Sequence, residues 1–389
     1  MELDINEIIV LLIVFVTVLF TAFLISSKSK NYISNVLISI FLILNALNSS
    51  GSFLGIFVYP SFPGFGLFIS TTASFLQAPV LYLYILSIIY SDFKLKKKDL
   101  LHLLPFLVVL ILFIPSYYSQ DFNAKQQYRR EPMSLDRLDL NLSYIILNLQ
   151  ALFYIIMSFR AINKYKQLLL ENYSNANKFN YRWMLRLISI YAIIAVLEGT
   201  RHLFMFMNID FLSRYALLLF VQMIILGFIC WMVLKALHSP DLFRGISSDM
   251  LLVKNYKERG LTDLENVEVV EENSIHIRKL AEIDQFMLDK RPFLDASLTL
   301  FDLANQLGIS KQEFSLLINR DLNQRFFDFI NGYRIRLAMD ILKDPSKKDL
   351  TVLEVLYEVG FNSKSSFNTA FKKLTNYTPT QYRQKYLLV

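Results

Sequence analysis

A chain of 389 residues that is 54% hydrophobic, with 33 Phe, 21 Tyr and a net charge of +7, is too apolar for an ordinary soluble protein, and the excess lies ahead of residue 240. One Cys and four scattered His (His102, His202, His238, His276) exclude a disulfide framework and a metal cluster. The chain has no Gly-rich phosphate loop, nucleophile elbow or metal-ligand spacing, so it reads as a non-enzyme that needs no cofactor.

Seven apolar runs are long enough for a bilayer core of about 30 Å. They are Ile8–Ile25, Tyr32–Val58, Gly66–Tyr90, Leu100–Tyr118, Leu140–Ile162, Met184–Met207 and Arg214–Leu237. Glu2, Asp4 and Glu7 precede or open the first run in place of basic residues, which reads as an uncleaved span and not a signal peptide. Lys28 and Lys30, the Lys94–Lys98 cluster, and Lys164, Lys166, Lys178 and Arg182 fall in alternate loops. The Tyr59–Phe65 loop carries no charge, and Ser119–Asp139 balances bases with acids. Positive-inside bias then predicts the N-terminus outside and everything after the seventh span in the cytoplasm.

Polar residues inside such spans are costly and draw attention to themselves. Glu198, Arg201 and His202 share one face of the sixth span at i, i+3 and i+4 spacing. Two readings stand: a sensing or transmission site for a small-molecule or peptide signal arriving from outside, or a self-neutralising ion pair that packs against another span. Asn45 and Asn48 read as hydrogen bonders between helices, and Gly51-x-x-x-Gly55 as a close-packing motif. Pro79, next to Gln77, suggests a kink in the third span. Tyr59, Tyr90, Tyr117, Tyr118, Tyr181 and Trp183 read as interfacial anchors.

Composition changes at residue 238. Residues 238–289 are charged, with a short helix predicted near Tyr256 and an amphipathic stripe through Ile277, Leu280, Ile283, Met287 and Leu288. This stretch is either a solvated linker or a signal helix that makes the chain a homodimer. The predicted domains are therefore a seven-span region over 1–237, a linker over 238–289, and a C-terminal domain over 290–389.

That last domain contains one pattern twice, over 299–323 and 351–376. Each copy opens on Thr-x-x-acid (Thr299/Asp302, Thr351/Glu354), the signature of a capping box. Apolar residues follow at helical spacing: Leu300, Leu303, Ala304 and Leu307, then Val352, Val355, Leu356 and Val359. A Gly stands nine residues after each Thr (Gly308, Gly360), where a left-handed turn ends a helix. A Ser then caps the next helix (Ser310, Ser363), with a further capping box predicted from Ser310 to Glu313. Helix, Gly turn, helix is a helix-turn-helix unit, and the two copies lie 52 residues apart. Between them Phe326, Phe329, Ile330, Tyr333, Leu337 and Ile341 form one stripe, with Arg325, Arg334 and Arg336 placed off it. A helix from Phe326 to Lys343 is about 27 Å long, suited to two units reading grooves about 34 Å apart. From Val359 onward there are five basic residues and no acid, which agrees with a DNA contact.

Glu358-Val-Gly-Phe361, Ser363, Ser365, Phe367, Phe371-Lys-Lys373, Thr378-Pro379 and Tyr382-Arg383 together resemble the DNA-binding domain of the AraC/XylS family of bacterial transcription regulators. The arrangement of the whole chain resembles membrane-bound AraC-type regulators of Bacteroidetes-like bacteria. That resemblance implies an inner-membrane protein that binds double-stranded promoter DNA and works on RNA polymerase. Its base-reading positions would be Lys311, Gln312, Ser315 and Leu316 in the first unit and Lys364, Ser365, Asn368 and Thr369 in the second, with Lys372 and Lys373 beside them. Many family members carry Arg where this chain has Leu316 and Thr369, so bidentate guanine contacts are lost there and the operator stays open. The expected fold is all-α: a polytopic seven-helix membrane bundle followed by a cytoplasmic double helix-turn-helix domain. A membrane receptor or transporter whose C-terminal helical domain binds a protein partner is the competing reading.

Overall fold

The computed structural model describes residues 4–26, 32–51, 58, 60–130, 137–175, 181–207, 209–238 and 269–387. Most of the linker, the Lys28/Lys30 and Lys178 positions, and Gly55 of the Gly-x-x-x-Gly motif lie outside them. Among the described residues there is no strand. The chain divides into two compact units, each drawn from two stretches: 1–162 with 180–248, and 163–179 with 249–389.

The first unit holds α1 (Ile5–Ser26), α2 (Tyr32–Ser49), α3 (Pro63–Ile89), a 3-10 turn (Lys97–Leu103) leading into α4 (Leu104–Phe113), α5 (Phe122–Arg130), most of α6 (Leu138–Asn172), α7 (Tyr181–Phe206) and α8 (Phe211–His238). Seven of these segments are long and apolar enough to cross a membrane. Their outward faces are as apolar as their inward ones. On α1, Val10 and Ile13 are fully buried, yet Phe15, Val18 and Leu19 are more than half exposed. That all-round apolarity is the opposite of the one-sided stripe of a surface helix in a water-soluble domain. Polar side chains bond between helices instead of facing out. Ser87 donates to Ser34 Oγ (2.9 Å), Ser74 to Asn48 Oδ1 (3.1 Å) and Gln150 to the Phe75 carbonyl (2.9 Å).

One expectation needs correction here. Tyr117 and Trp183 are not rim anchors: both are buried, Trp183 stacking on Trp231 with 6.3 Å between ring centroids. An aromatic at the end of an apolar run can turn inward when a second ring is available to pack against it. Pro79, the predicted kink position, lies inside helix α3.

The second unit begins with the last turns of α6 and resumes at α9 (Val269–Lys290). Then follow α10 (Leu300–Leu307), α11 (Lys311–Leu316) running into a π turn, α12 (Phe326–Lys343), α13 (Val352–Glu358), α14 (Lys364–Thr375) and α15 (Pro379–Leu387). The expected rod is the helix α12, with the predicted ends. Its first half (Phe326, Phe329, Ile330, Tyr333) packs into one core with Leu303, Phe314 and Ile318. Its second half (Ile335, Ala338, Ile341, Leu342) packs into another with Val355, Phe367 and Phe371. Leu337 touches both. One helix thus spans two cores, and each core is the interior of one helix-turn-helix unit. The first core reaches upstream of residue 290, because Ile283 and Met287 of α9 lie inside it.

Candidate nucleic-acid interface and a buried polar cluster

Local chemistry sets each turn. Thr299 accepts the Asp302 N–H (3.2 Å) while Asp302 accepts the Thr299 N–H (3.1 Å). Thr351 and Glu354 repeat this at 3.1 and 2.6 Å. Gly308 and Gly360 both take positive φ, +69° and +89°, as the turns require. The third predicted box is only half formed. Ser310 accepts the Glu313 N–H (3.1 Å), but Glu313 is drawn away to Lys279 of α9, 2.5 Å from its carboxylate. Ser363 stands at the N-cap of α14 with no side-chain cap bond.

These turns project α11 and α14 as the two candidate reading helices, and the predicted contact residues are not equally available on them. On α11, Gln312 is exposed, Lys311 and Leu316 are half-buried, and Ser315 is buried at 3% exposure. Ser315 is therefore withdrawn as a DNA contact. The six-residue helix turns Phe314 and Ser315 together into the core before the backbone widens into the π turn at Leu317. On α14, Lys364, Ser365, Thr369, Lys372 and Lys373 are exposed and Asn368 is half-buried. Lys373 is engaged by Asp328 of α12 at 2.7 Å. Thr369 donates its hydroxyl to the Ser365 carbonyl (2.8 Å).

Arg334, read from the sequence as lying off the apolar stripe of α12, is nevertheless part of its buried face. It is 1% exposed. Its Nε donates to the Phe293 carbonyl (2.7 Å), and one Nη to the Asp295 carbonyl (2.7 Å). Burial pulls its guanidinium down to about 10, with Asp295 opposing. The spacing Phe326, Ile330, Arg334, Ala338 is itself a four-residue ladder on a buried face, so the signal was present in the sequence. Tyr333 donates to Asp284 of α9, and burial followed by that carboxylate pushes its phenol upward.

In the first unit, the Glu198, Arg201 and His202 side chains are brought together. Arg201 Nε and Nη2 both lie 2.8 Å from Glu198 Oε2. His202 is buried, and its ring lies 4.1 Å from the Tyr144 ring of α6. Arg201 Nη2 stands 3.5 Å from His202 Nε2, while no partner of His202 Nδ1 is found among the described residues. Sequence reasoning missed Tyr144, which lies on another helix. Among the described residues no group of His, Cys, Asp and Glu could hold a metal ion.

Comparison with known proteins decides the C-terminal domain. Residues 303–385 match the helix-turn-helix domain family. The chain carries a helix-turn-helix domain. Over 88 residues it is 38% identical to an uncharacterized HTH-type transcriptional regulator in the cgkA 5' region of Pseudoalteromonas carrageenovora, covering 22% of this chain and 48% of that one. It is 29% identical over 87 residues to the HTH-type transcriptional regulator AlkR of Acinetobacter baylyi, covering 22% and 28%. It is 33% identical over 94 residues to the transposon Tn10 TetD protein of Escherichia coli, covering 24% and 66%. The chain thus spans at most 66% of the length of these three relatives. Among solved structures, the C-terminal domain of AraT, a response regulator from Geobacillus stearothermophilus, is 29% identical, covering 28% of this chain and 84% of that one with a TM-score of 0.24. The match and these relatives show that this domain is similar to those of HTH-type transcriptional regulators.

Proposed function

We propose that this chain is a membrane-embedded, one-component transcription regulator. Its seven apolar helices sit in the inner membrane, and its second unit binds promoter DNA from the cytoplasmic side. The carrying observation is the pairing, in one chain, of seven span-length helices with a helix-turn-helix domain whose two units share the single rod α12. The two units would read adjacent major grooves through Lys311, Gln312 and Leu316 on α11 and through Lys364, Ser365, Asn368, Thr369 and Lys372 on α14. Exposed lysines supply the salt-dependent, sequence-independent part of the affinity. The side chains near the front of each helix supply the sequence-dependent part. RNA polymerase is the expected downstream partner. The cluster of Glu198, Arg201, His202 and Tyr144 is the proposed sensing or transmission point for a signal, because a buried histidine beside an ion pair is the most polar feature found in the apolar helices.

The test uses the full chain in lipid nanodiscs to select binders from a random duplex library. An enriched two-part motif, bound with an affinity that falls steeply with salt, is expected. Recovery of no motif would leave the C-terminal domain as a protein-binding module. Fractionation of the native host tests the membrane half, and extraction by salt wash alone would refute embedding. Single substitutions at Glu198, Arg201 and His202, read by a promoter reporter, test sensing; wild-type response in all three would discard it.

A further inference from the structure

Arg334 has five N–H groups to satisfy in a site closed to water. Residues of the DNA-binding domain itself serve only part of this need: the carbonyls of Phe293 and Asp295, and Asn331 Oδ1 at 3.2 Å. The rest comes from the end of α6. Arg334 lies 3.3 Å from both the Ser174 carbonyl and the Ser174 hydroxyl. Ser174 is as buried as Arg334, at 1% exposure. Its own N–H donates to the Leu298 carbonyl (3.2 Å), and Tyr173 forms an antiparallel bridge with Thr299, the cap of α10. Asn175 donates to Asn362 (2.5 Å), in the turn ahead of α14. Three consecutive residues therefore touch the first helix-turn-helix unit, the rod and the second unit.

They do so at the seam between the units. The Phe293 carbonyl that Arg334 bonds is also one of two backbone oxygens, with that of Leu294, that would stand 2.7 Å from a Cβ added at Gly360 of the second turn. The Arg334 guanidinium lies 5.5 Å from the ring of Phe361 in the second core. Helix α6 is continuous from Leu138 to Asn172, 35 residues or about 52 Å, well beyond the roughly 30 Å of a bilayer core. Its excess turns carry Lys164 and Lys166 and bury Tyr165, Leu168 and Leu169 within the second unit's share of the chain.

We infer that Tyr173–Asn175, at the end of the fifth apolar helix, is a docking segment that completes the seam between the two helix-turn-helix units and holds them in the register for two-groove binding. This rests on the reading of the chain as a membrane-embedded DNA-binding regulator. Withdrawing the segment leaves buried guanidinium donors unpaired, so the units lose their fixed relation.

The test uses the full chain in nanodiscs and the two-part motif that the wild type selects. In a Cys230→Ser background, Asn175→Cys with Asn362→Cys should be joined by a short bifunctional maleimide and retain wild-type binding. Ser174→Trp should weaken binding roughly tenfold, the loss of bonds to a charged buried donor. It should also flatten the preference for the selected spacing over one lengthened by two base pairs. Asn175→Asp with Asn362→Asp, the first half-buried and the second exposed, should move affinity and spacing preference the same way without adding bulk to the core, and it carries the test if the Trp variant does not accumulate. Wild-type affinity and spacing preference in these variants, or failure of the Cys pair to cross-link, overturns the inference while leaving the regulator reading intact. A wild-type chain that selects no DNA overturns the regulator reading and takes this inference with it, even if the Cys pair is joined.

Discussion

Gly308 and Gly360 hold the same place in the two copies of the repeat, and replacing each with alanine separates them. At Gly308 nothing beyond its chain neighbours lies within 4 Å of where a Cβ would stand. Only the left-handed backbone opposes the change, at roughly 1–2 kcal/mol. The stiffer unfolded chain offsets about 0.4–1 kcal/mol of that, leaving a net loss of about 1 kcal/mol. At Gly360 the same strain applies, but the Cβ would stand 2.7 Å from the carbonyl oxygens of both Leu294 and Phe293. These are backbone atoms, and the Phe293 oxygen is also held by Arg334, so they cannot rotate aside as a side chain could. Forced displacement of a packed segment adds about 1–3 kcal/mol, for a total near 2–4 kcal/mol. Hydrogen exchange on the full chain in nanodiscs reads local opening free energies for peptides from 300–321 and from 352–375. Gly308→Ala should lower protection modestly and in the first unit alone. Gly360→Ala should lower it several times more, in the second unit and along 293–295. Equal losses, or a smaller loss at Gly360, would refute the close approach of the second turn to that backbone.

Thr299→Ala and Thr351→Ala each remove a reciprocal cap and should destabilise their unit by about 0.5–2 kcal/mol. Ser363→Ala, at a cap with no side-chain bond, should do almost nothing by the same exchange measurement. Lys372→Ala should reduce the slope of log affinity against log salt by about one. Lys373→Ala should reduce it less, because Asp328 already faces its ammonium at 2.7 Å. Hydrogen bonds from Thr351 hold the Glu354 carboxyl below its ordinary value of 4.5. Its contribution is therefore complete above that value and is lost as pH falls through the lower folded-state value, so Glu354→Gln should remove an acid limb from the pH dependence of protection in α13.

What local pattern encodes, the sequence shows. Seven largely apolar runs of eighteen or more residues predict segments long enough to cross a membrane, and seven such segments are found among the described residues. A Thr and an acid three residues on can only close one kind of turn, and both boxes form. Three other features were hidden, each for a physical reason. The burial of Arg334 is legible in its four-residue ladder, but its partner is not, because Ser174 lies 160 residues away in the chain and no spacing rule reaches that far. Ser315 is assigned a contact by position in the motif, whereas on α11 it lies beside Phe314 on the buried face. Glu313 looked like a capping residue because Lys279, 34 residues upstream, was assigned to a linker.

The same tertiary contacts break the symmetry that the repeat suggests. In the first unit Glu313 on the reading helix is tied to α9, Lys311 is half-buried and Ser315 is buried, leaving Gln312 as the one fully exposed residue of the four predicted contacts. In the second, Lys364, Ser365 and Thr369 are all exposed, and Lys372 and Lys373 extend the same helix. Phosphate attraction is a matter of exposed positive charge, so on the proposed reading the second unit would supply more of the electrostatic grip and the first would act through Gln312 and Leu316. Two copies of one motif would then divide the work according to which neighbouring helix each copy packs against, not by the motif itself.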